Sequence, residues 1–271
     1  MAKRLVNSEK FHVTDDLRDF LLEKAADYER PDFIPHDPIA IPHLFSEKQD
    51  VELAGFIAAT LAWGQRKTIL AKAGAFIDRL DGAPGDFIKN ATQDEIRSAA
   101  KGFVHRTFQS RDAEVFLNAL QVLVTSYGGL ESAFLPRDEE VSAAACLKTF
   151  HNRFFLAASH RGYEAGRTRK HVATPARGSA AKRLNMFLRW MVRPSRRGVD
   201  FGLWNQILPS QLMMPLDVHT GNVGRKLGLL NRKQNDWKAV ELLTYALRQV
   251  EPEDPVRLDF ALFGLGAIEQ F

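Results

Sequence analysis

The stretch Gly178-Ser-Ala-Ala-Lys182-Arg-Leu-Asn-Met-Phe-Leu-Arg-Trp-Met191 sets the reading of the whole chain. Leu184, Phe187, Leu188 and Met191 recur at helical spacing. They predict a helix over 179–192 with one apolar face, and they leave Lys182, Arg183, Arg189 and Arg193 on its polar side. A second stretch, Pro215-Leu-Asp217-Val-His219-Thr-Gly-Asn-Val-Gly-Arg-Lys-Leu-Gly-Leu229, predicts a helix over 218–227. Asp217 stands at its N-cap position and Gly228 ends it. An amine therefore opens one helix and a carboxylate opens another, 35 residues apart.

Outward from this stretch the pattern stays helical. Residues 14–28 form an amphipathic segment with Leu17, Phe20, Leu21 and Ala25 on one face and Thr14 or Asp15 as cap. Pro31, Pro35, Pro38 and Pro42 then predict an extended crossing. Val51–Trp63, with Ser46 or Asp50 as cap, is apolar nearly all round and reads as a central core helix. Gly64-Gln65 breaks it, and Arg66-Lys67-Thr68 opens another helix that reaches Leu80. Short helices are expected at 86–89 and 94–100, long ones at 112–127 and 139–159. Residues 201–208 read as an apolar segment or short helix. A regular helix follows over 236–250, and a last one over 256–265 with Asp254 as cap and Pro255 in its first turn. No alternating strand or hairpin signal is present, so an all-α chain of about ten helices is expected. Domain organisation is expected as an N-terminal helix and crossing (1–45), a helical lobe (46–160), a basic loop (161–177) and a second lobe (178–271).

Composition narrows the function classes. The 271 residues carry 45% apolar and 26% charged side chains, as soluble globular proteins do. No run of 18 apolar residues predicts a membrane span, and residues 1–10 lack a leader core. Cys146 is the single cysteine, which excludes an internal disulfide and a cysteine-ligated iron–sulfur cluster or zinc site within one chain. Cytoplasmic location is expected. Net charge is only +4, yet His151–Asp200 holds twelve Lys/Arg against two Asp/Glu. So strong a local excess is the footprint of a phosphate-bearing partner, although a solvated loop carries such charge equally well.

Three features resemble the helix-hairpin-helix DNA glycosylase superfamily. Gly178-Ser-Ala-Ala-Lys182 looks like the hairpin glycine followed four residues later by the lysine of members that also cleave the DNA backbone. Pro215-Leu-Asp217 with its helix is similar to the motif that carries the family's catalytic aspartate, and Leu61-Ala-Trp63-Gly-Gln65 looks like the turn that approaches DNA. More closely, the chain resembles an uncharacterised bacterial family related to that superfamily. Two departures stand out. Ala180 replaces the hairpin's second glycine, and the residues Pro194–Gln211 lengthen the gap between Lys182 and Asp217.

The resemblance implies a two-lobed all-α fold of helix-hairpin-helix type with a cleft between lobes. It implies DNA repair by base excision on double-stranded DNA with a damaged or modified base, and an associated abasic-site lyase step. Lys182 and Asp217 would be the catalytic pair. Gln65, Arg66, Lys67, Arg177, Gly178, Ser179, Arg183, Arg193, Arg196, Arg197 and His219 would hold the DNA, and Trp63, Trp190 or Trp204 would receive the extruded base. No metal, cofactor or iron–sulfur cluster is expected, and a monomer associated with the nucleoid is. Other readings of the same residues are plain. Lys182 can be surface charge, Asp217 a helix cap, His219 a packed residue, and the tryptophans core. A catalytic pair would open onto one cleft about 5–8 Å apart. A nucleic-acid-binding protein without chemistry and a helical protein-interaction scaffold are the alternatives.

Overall fold

The computed structural model describes residues 13–271, and the beginning of the expected 1–45 segment lies outside them. The described residues are mostly helical. Helix α1 (Asp15–Tyr28) opens at Thr14, whose Oγ1 accepts from Leu17 N at 3.3 Å, and it buries Leu21 and Ala25. The proline-rich crossing is not extended. It winds through three 3-10 turns, Pro31–His36, Pro38–Ala40 and Pro42–Leu44, each with a proline at its start. The fixed φ of proline suits the first residue of such a turn, where no N–H partner is needed.

Helix α2 (Lys48–Leu61) is the centre of the molecule, with every residue from Val51 to Leu61 buried. Neither Ser46 nor Asp50 caps it. Glu47 takes the cap position without a side-chain bond, and Asp50 instead accepts from Gly85 N at 2.6 Å. Around it stand α3 (Arg66–Asp78), α4 (Pro84–Asn90), α5 (Gln93–Ala100), α6 (Ser110–Tyr127), α7 (Leu130–Phe134) and α8 (Ala143–His160). Phe56 of α2 packs on Phe116 at 5.9 Å, Phe150 at 5.2 Å and Phe187 at 5.6 Å between ring centroids. Each such buried ring contributes about 2 kcal/mol of transfer free energy, so this aromatic centre fixes the arrangement of α2, α6 and α8.

Four expectations need correction. A hairpin exists, β1 (Val104–His105) paired antiparallel with β2 (Phe108–Gln109), too short to produce an alternation signal. Residues 201–208 form no helix. Their backbone is tied instead to the end of α9 (Lys182–Val192), with Phe201 N donating to Trp190 O at 2.8 Å and Trp204 N to Met191 O at 2.9 Å. The basic stretch 161–177 contributes to the core, because its 3-10 turns Gly166–His171 and Pro175–Arg177 help bury Thr168, His171 and Val172. The last helix is divided into a 3-10 turn Pro255–Leu258, α12 (Asp259–Phe263) and a π-helical turn Gly264–Ile268.

Helices α9, α10 (Val218–Lys226) and α11 (Trp237–Arg248) lie between α8 and that last segment. Helix α9 crosses α2 closely. A Cβ on Gly55 would lie 3.1 Å from Met191 Cε and 3.3 Å from the Phe187 ring. One contiguous set of buried side chains runs from Val13 to Leu265 and includes residues of both expected lobes. This close packing carries the N-terminus of α9 to the region of α10 and α12, where the candidate site lies.

Candidate functional site

The turn before α9 is tightly held. Gly178 adopts φ +75°, a left-handed conformation suited to glycine, and its carbonyl accepts from Trp237 N at 3.0 Å. Ser179 Oγ accepts from Ala181 N at 3.2 Å, and Asn185 Nδ2 donates to Ala180 O at 3.0 Å. The second left-handed residue is Ala181, at φ +46°, immediately before Lys182. For alanine that conformation costs about 1–2 kcal/mol, so surrounding contacts must hold it.

Across from this turn, Asp217 caps α10. Its Oδ1 accepts from Thr220 N at 3.1 Å, while Thr220 Oγ1 accepts from Asp217 N at 2.9 Å. Asn235 Nδ2 donates to Asp217 O at 2.9 Å. The reciprocal cap fixes the carboxylate and leaves Oδ2 facing Lys182. Lys182 Nζ lies 3.9 Å from Asp217 Oδ2 and 3.3 Å from Met186 Sδ. Both partners are partly open to solvent, with side chains 29% and 25% exposed. The distance is shorter than the separation of about 5–8 Å expected of a catalytic pair that opens onto a cleft, and the two groups are in ion-pair range of each other. Two shallow depressions on the surface, one bordered by Lys148, Pro175 and Trp237 and another by Phe155, Tyr163 and Arg169, do not include it.

Beneath the pair lies buried charge that the sequence did not single out. Asp259 accepts from Arg189 Nη1 at 2.6 Å. Burial pushes its carboxyl up to about 6, Arg189 and Lys182 oppose that shift, and the negative charge of Asp217 adds to it. Asp37 is also buried, and its Oδ1 accepts from Ile39 N at 3.0 Å. Burial raises its pKa as well, against the opposing positive charges of Arg189, Lys182 and Arg66. Lys182, Met186, Arg189 and Arg193 follow each other at spacings of four, three and four, which places them on one face of α9. That spacing was the available signal. It reads as a solvated stripe until the carboxylates opposite it are known.

The structure separates the other predicted residues. Arg193, expected to hold DNA, does not reach the surface. It is buried and donates to Glu29 Oε1 at 2.7 Å and to Asp254 at 2.9 Å, and it also bonds Asp200. It belongs to an internal ion cluster, not to a DNA-facing surface. Trp190 is fully buried, and Trp204 is buried with Nε1 donating to Glu52 Oε1 at 2.7 Å. Neither can receive a base in this conformation. Trp63 is half-buried, with its ring under the Arg183 guanidinium at 4.6 Å and 5.3 Å from the His171 ring. Arg183 also bonds Thr60 O, and burial lowers its pKa to about 10. Gln65, Lys67, Arg177, Gly178, Arg196, Arg197 and His219 are exposed, while Arg66 and Ser179 are partly so. Arg197 pairs with Glu29 at 3.6 Å, Arg66 lies over the Phe263 ring at 4.6 Å, and His219 Nδ1 is 3.3 Å from Gly266 O.

Among the described residues no group of three or more His, Cys, Asp and Glu is arranged to hold a metal ion. No helix among them is long and apolar enough to cross a membrane.

Fold and site together define a mostly helical protein in which two helix starts present a lysine and an aspartate to each other above buried carboxylates. Residues 37–268 match the family described as "Protein of unknown function (DUF2400)", and the chain belongs to that family. No curated protein and no solved structure matches the chain.

Proposed function

We propose that this protein binds double-stranded DNA with a damaged or modified base, releases that base and cleaves the resulting abasic site. In this reading the fold is of the two-lobed, helix-hairpin-helix glycosylase type. The observation that carries it is the 3.9 Å approach of Lys182 Nζ to Asp217 Oδ2 at two helix N-termini. Lys182 would give up a proton, with Asp217 as the nearby acceptor, and its nitrogen lone pair would attack C1′ of the sugar. The bond from C1′ to the base breaks, and its electron pair leaves with the base, which takes up a proton. The C1′–O4′ bond then breaks, its electron pair stays on O4′, which takes up the proton that the bound nitrogen releases, and an imine between Lys182 and C1′ remains. Asp217 would also offset positive charge developing on the sugar.

The test is reductive trapping. With borohydride present, the wild type should form a covalent adduct with a DNA substrate from a panel of modified bases and abasic sites. Lys182→Gln should form none while binding the same DNA within about threefold. Equal trapping by both proteins would remove Lys182 from the mechanism. A second reading, nucleic-acid binding without chemistry, is favoured by Ala180 and Ala181 in the turn before Lys182, where a hairpin needs glycine to bring backbone N–H groups onto phosphate. It predicts salt-dependent DNA binding with no base release on any substrate. A chain without affinity for DNA even at low salt would be a protein-interaction scaffold instead.

A further inference from the structure

The hairpin that the sequence concealed carries Arg106 at its tip, with φ +54°. Its guanidinium lies over Gly64, where an added Cβ would be 3.0 Å from Nη1. At the base of the hairpin, Asp112 is wholly buried. Its carboxylate accepts from Gln109 N at 2.9 Å and Thr168 Oγ1 at 2.7 Å, with Arg167 Nη2 at 3.4 Å. Arg167 Nη2 also donates to Thr107 O at 2.7 Å. One internal carboxylate thus clamps the hairpin to the 3-10 turn Gly166–His171, about 60 residues further along the chain.

That turn in turn meets the start of α9. Arg183 Nη2 is 3.4 Å from both Lys170 O and His171 O, and its guanidinium covers Trp63. His105 Nε2 lies 3.2 Å from Trp63 O, so the hairpin and the turn after α2 also touch. Burial drives His171 down to about 4, and this imidazole therefore adds no charge at neutral pH. The exposed cations do. Lys67, Arg106, Arg167, Arg169 and Lys170 are all at the surface, and of these only Arg167 is in an ion pair among the described residues, with Asp112. Gathering like charges without acidic partners costs energy, and an anionic partner would recover it.

We infer that the hairpin tip, the turn after α2 and the Gly166–His171 turn form one strip that binds the phosphate backbone of a nucleic acid and leads it toward Lys182. Lys67, Arg106, Arg169 and Lys170 make the phosphate contacts, and Asp112 is a positioning residue that holds the strip together. The inference rests on the nucleic-acid reading above and adds the surface that carries it. Arg106, Arg169 and Lys170 come from segments that no hairpin motif designates.

The experiment follows duplex DNA binding to the full-length chain by fluorescence anisotropy over a salt series. The variant Arg106→Ala/Arg169→Ala/Lys170→Ala removes three exposed cations. Three lost phosphate contacts should lower the slope of log K against log salt by about 2–3 and weaken binding more than tenfold at ~100 mM salt. A control, Arg18→Ala/Lys89→Ala/Lys148→Ala, removes the same charge outside the strip and should leave the slope unchanged. A wild type that binds DNA, with an unaltered slope in the strip variant or an equal loss in the control, overturns the inference and leaves the proposed function standing. A wild type that binds no DNA at ~20 mM salt overturns both. Polyglutamate binding as tight as DNA binding would overturn the nucleic-acid assignment of the strip.

Discussion

Replacing Arg193 with Met separates a structural arginine from a DNA-binding one. Its guanidinium donates to Glu29 at 2.7 Å and to both oxygens of Asp254 at 2.9 and 3.0 Å, and it bonds Asp200 as well. The side chain is only 2% exposed, and Asp200 and Glu29 are 1% and 7% exposed. Removing one partner from a buried ion cluster costs about 3–5 kcal/mol, because the remaining charges stay desolvated. Methionine keeps most of the apolar stem, so cavity formation adds little. Asp200 retains Arg189 at 3.3 Å and Glu29 retains Arg257 at 2.9 Å, which points to the lower end, about 3 kcal/mol. For a chain of 271 residues an unfolding entropy of about 2.1 cal/mol/K per residue makes this roughly a 5 °C fall in Tm.

Urea unfolding followed by circular dichroism measures that loss, and its pH dependence is a second check. Burial pushes the Glu29 carboxyl up, but Arg193 and Arg257 outweigh it and hold the group below its ordinary value. Its contribution to stability is therefore present above the unfolded carboxyl pKa and disappears as pH falls through the lower folded value. The gap between wild type and Arg193→Met should be widest near neutral pH and narrow below about pH 4. A loss under about 1 kcal/mol at pH 7, accompanied by weaker DNA binding, would refute the assignment of Arg193 to the interior.

Asp259→Asn tests the buried carboxyl below the lysine–aspartate pair. Because its folded pKa is raised to about 6, ionisation costs stability as pH rises from the unfolded value through 6; the variant should gain on the order of 2 kcal/mol relative to wild type between pH 4 and pH 7.5, and parallel pH profiles would contradict this. Gly264→Ala places a Cβ 2.1 Å from Tyr28 Cδ2 and should lower stability by about 1–3 kcal/mol in urea melts, with partial recovery when Tyr28 is also replaced by Ala. An unchanged melt would show that α1 and the π-helical turn do not meet as closely as described. Trp204→Phe removes the Nε1 donor to buried Glu52 and should cost about 1–3 kcal/mol by chemical denaturation; a neutral result would mean that Glu52 finds another donor.

Much of the helical framework was readable in advance. Apolar spacing located α2, α6, α8 and α9, and the N-cap reading of Asp217 agrees with its bonds to Thr220. These are local properties. A repeat of 3.6 residues and a carboxylate two or three residues before the N–H it accepts are complete within one short stretch of chain.

The sequence by itself determined the helical class, several helix boundaries, and the positions of Lys182 and Asp217 at two helix starts. It left the proline crossing and residues 201–208 open to the wrong reading, because 3-10 turns and docked loops take their form from distant partners. Tertiary structure alone decided that the polar stripe of α9 faces inward. Carboxylates arrive there from three segments, Glu29 after α1, Asp200 in the loop after α9, and Asp254 and Asp259 at the last helix, and they turn Arg189 and Arg193 from apparent surface charge into core. It also decided that Lys182 and Asp217 meet at 3.9 Å, and that Arg106 lies beside the turn after α2. Periodicity states which residues share a face; what stands opposite that face depends on contacts between residues far apart in the chain.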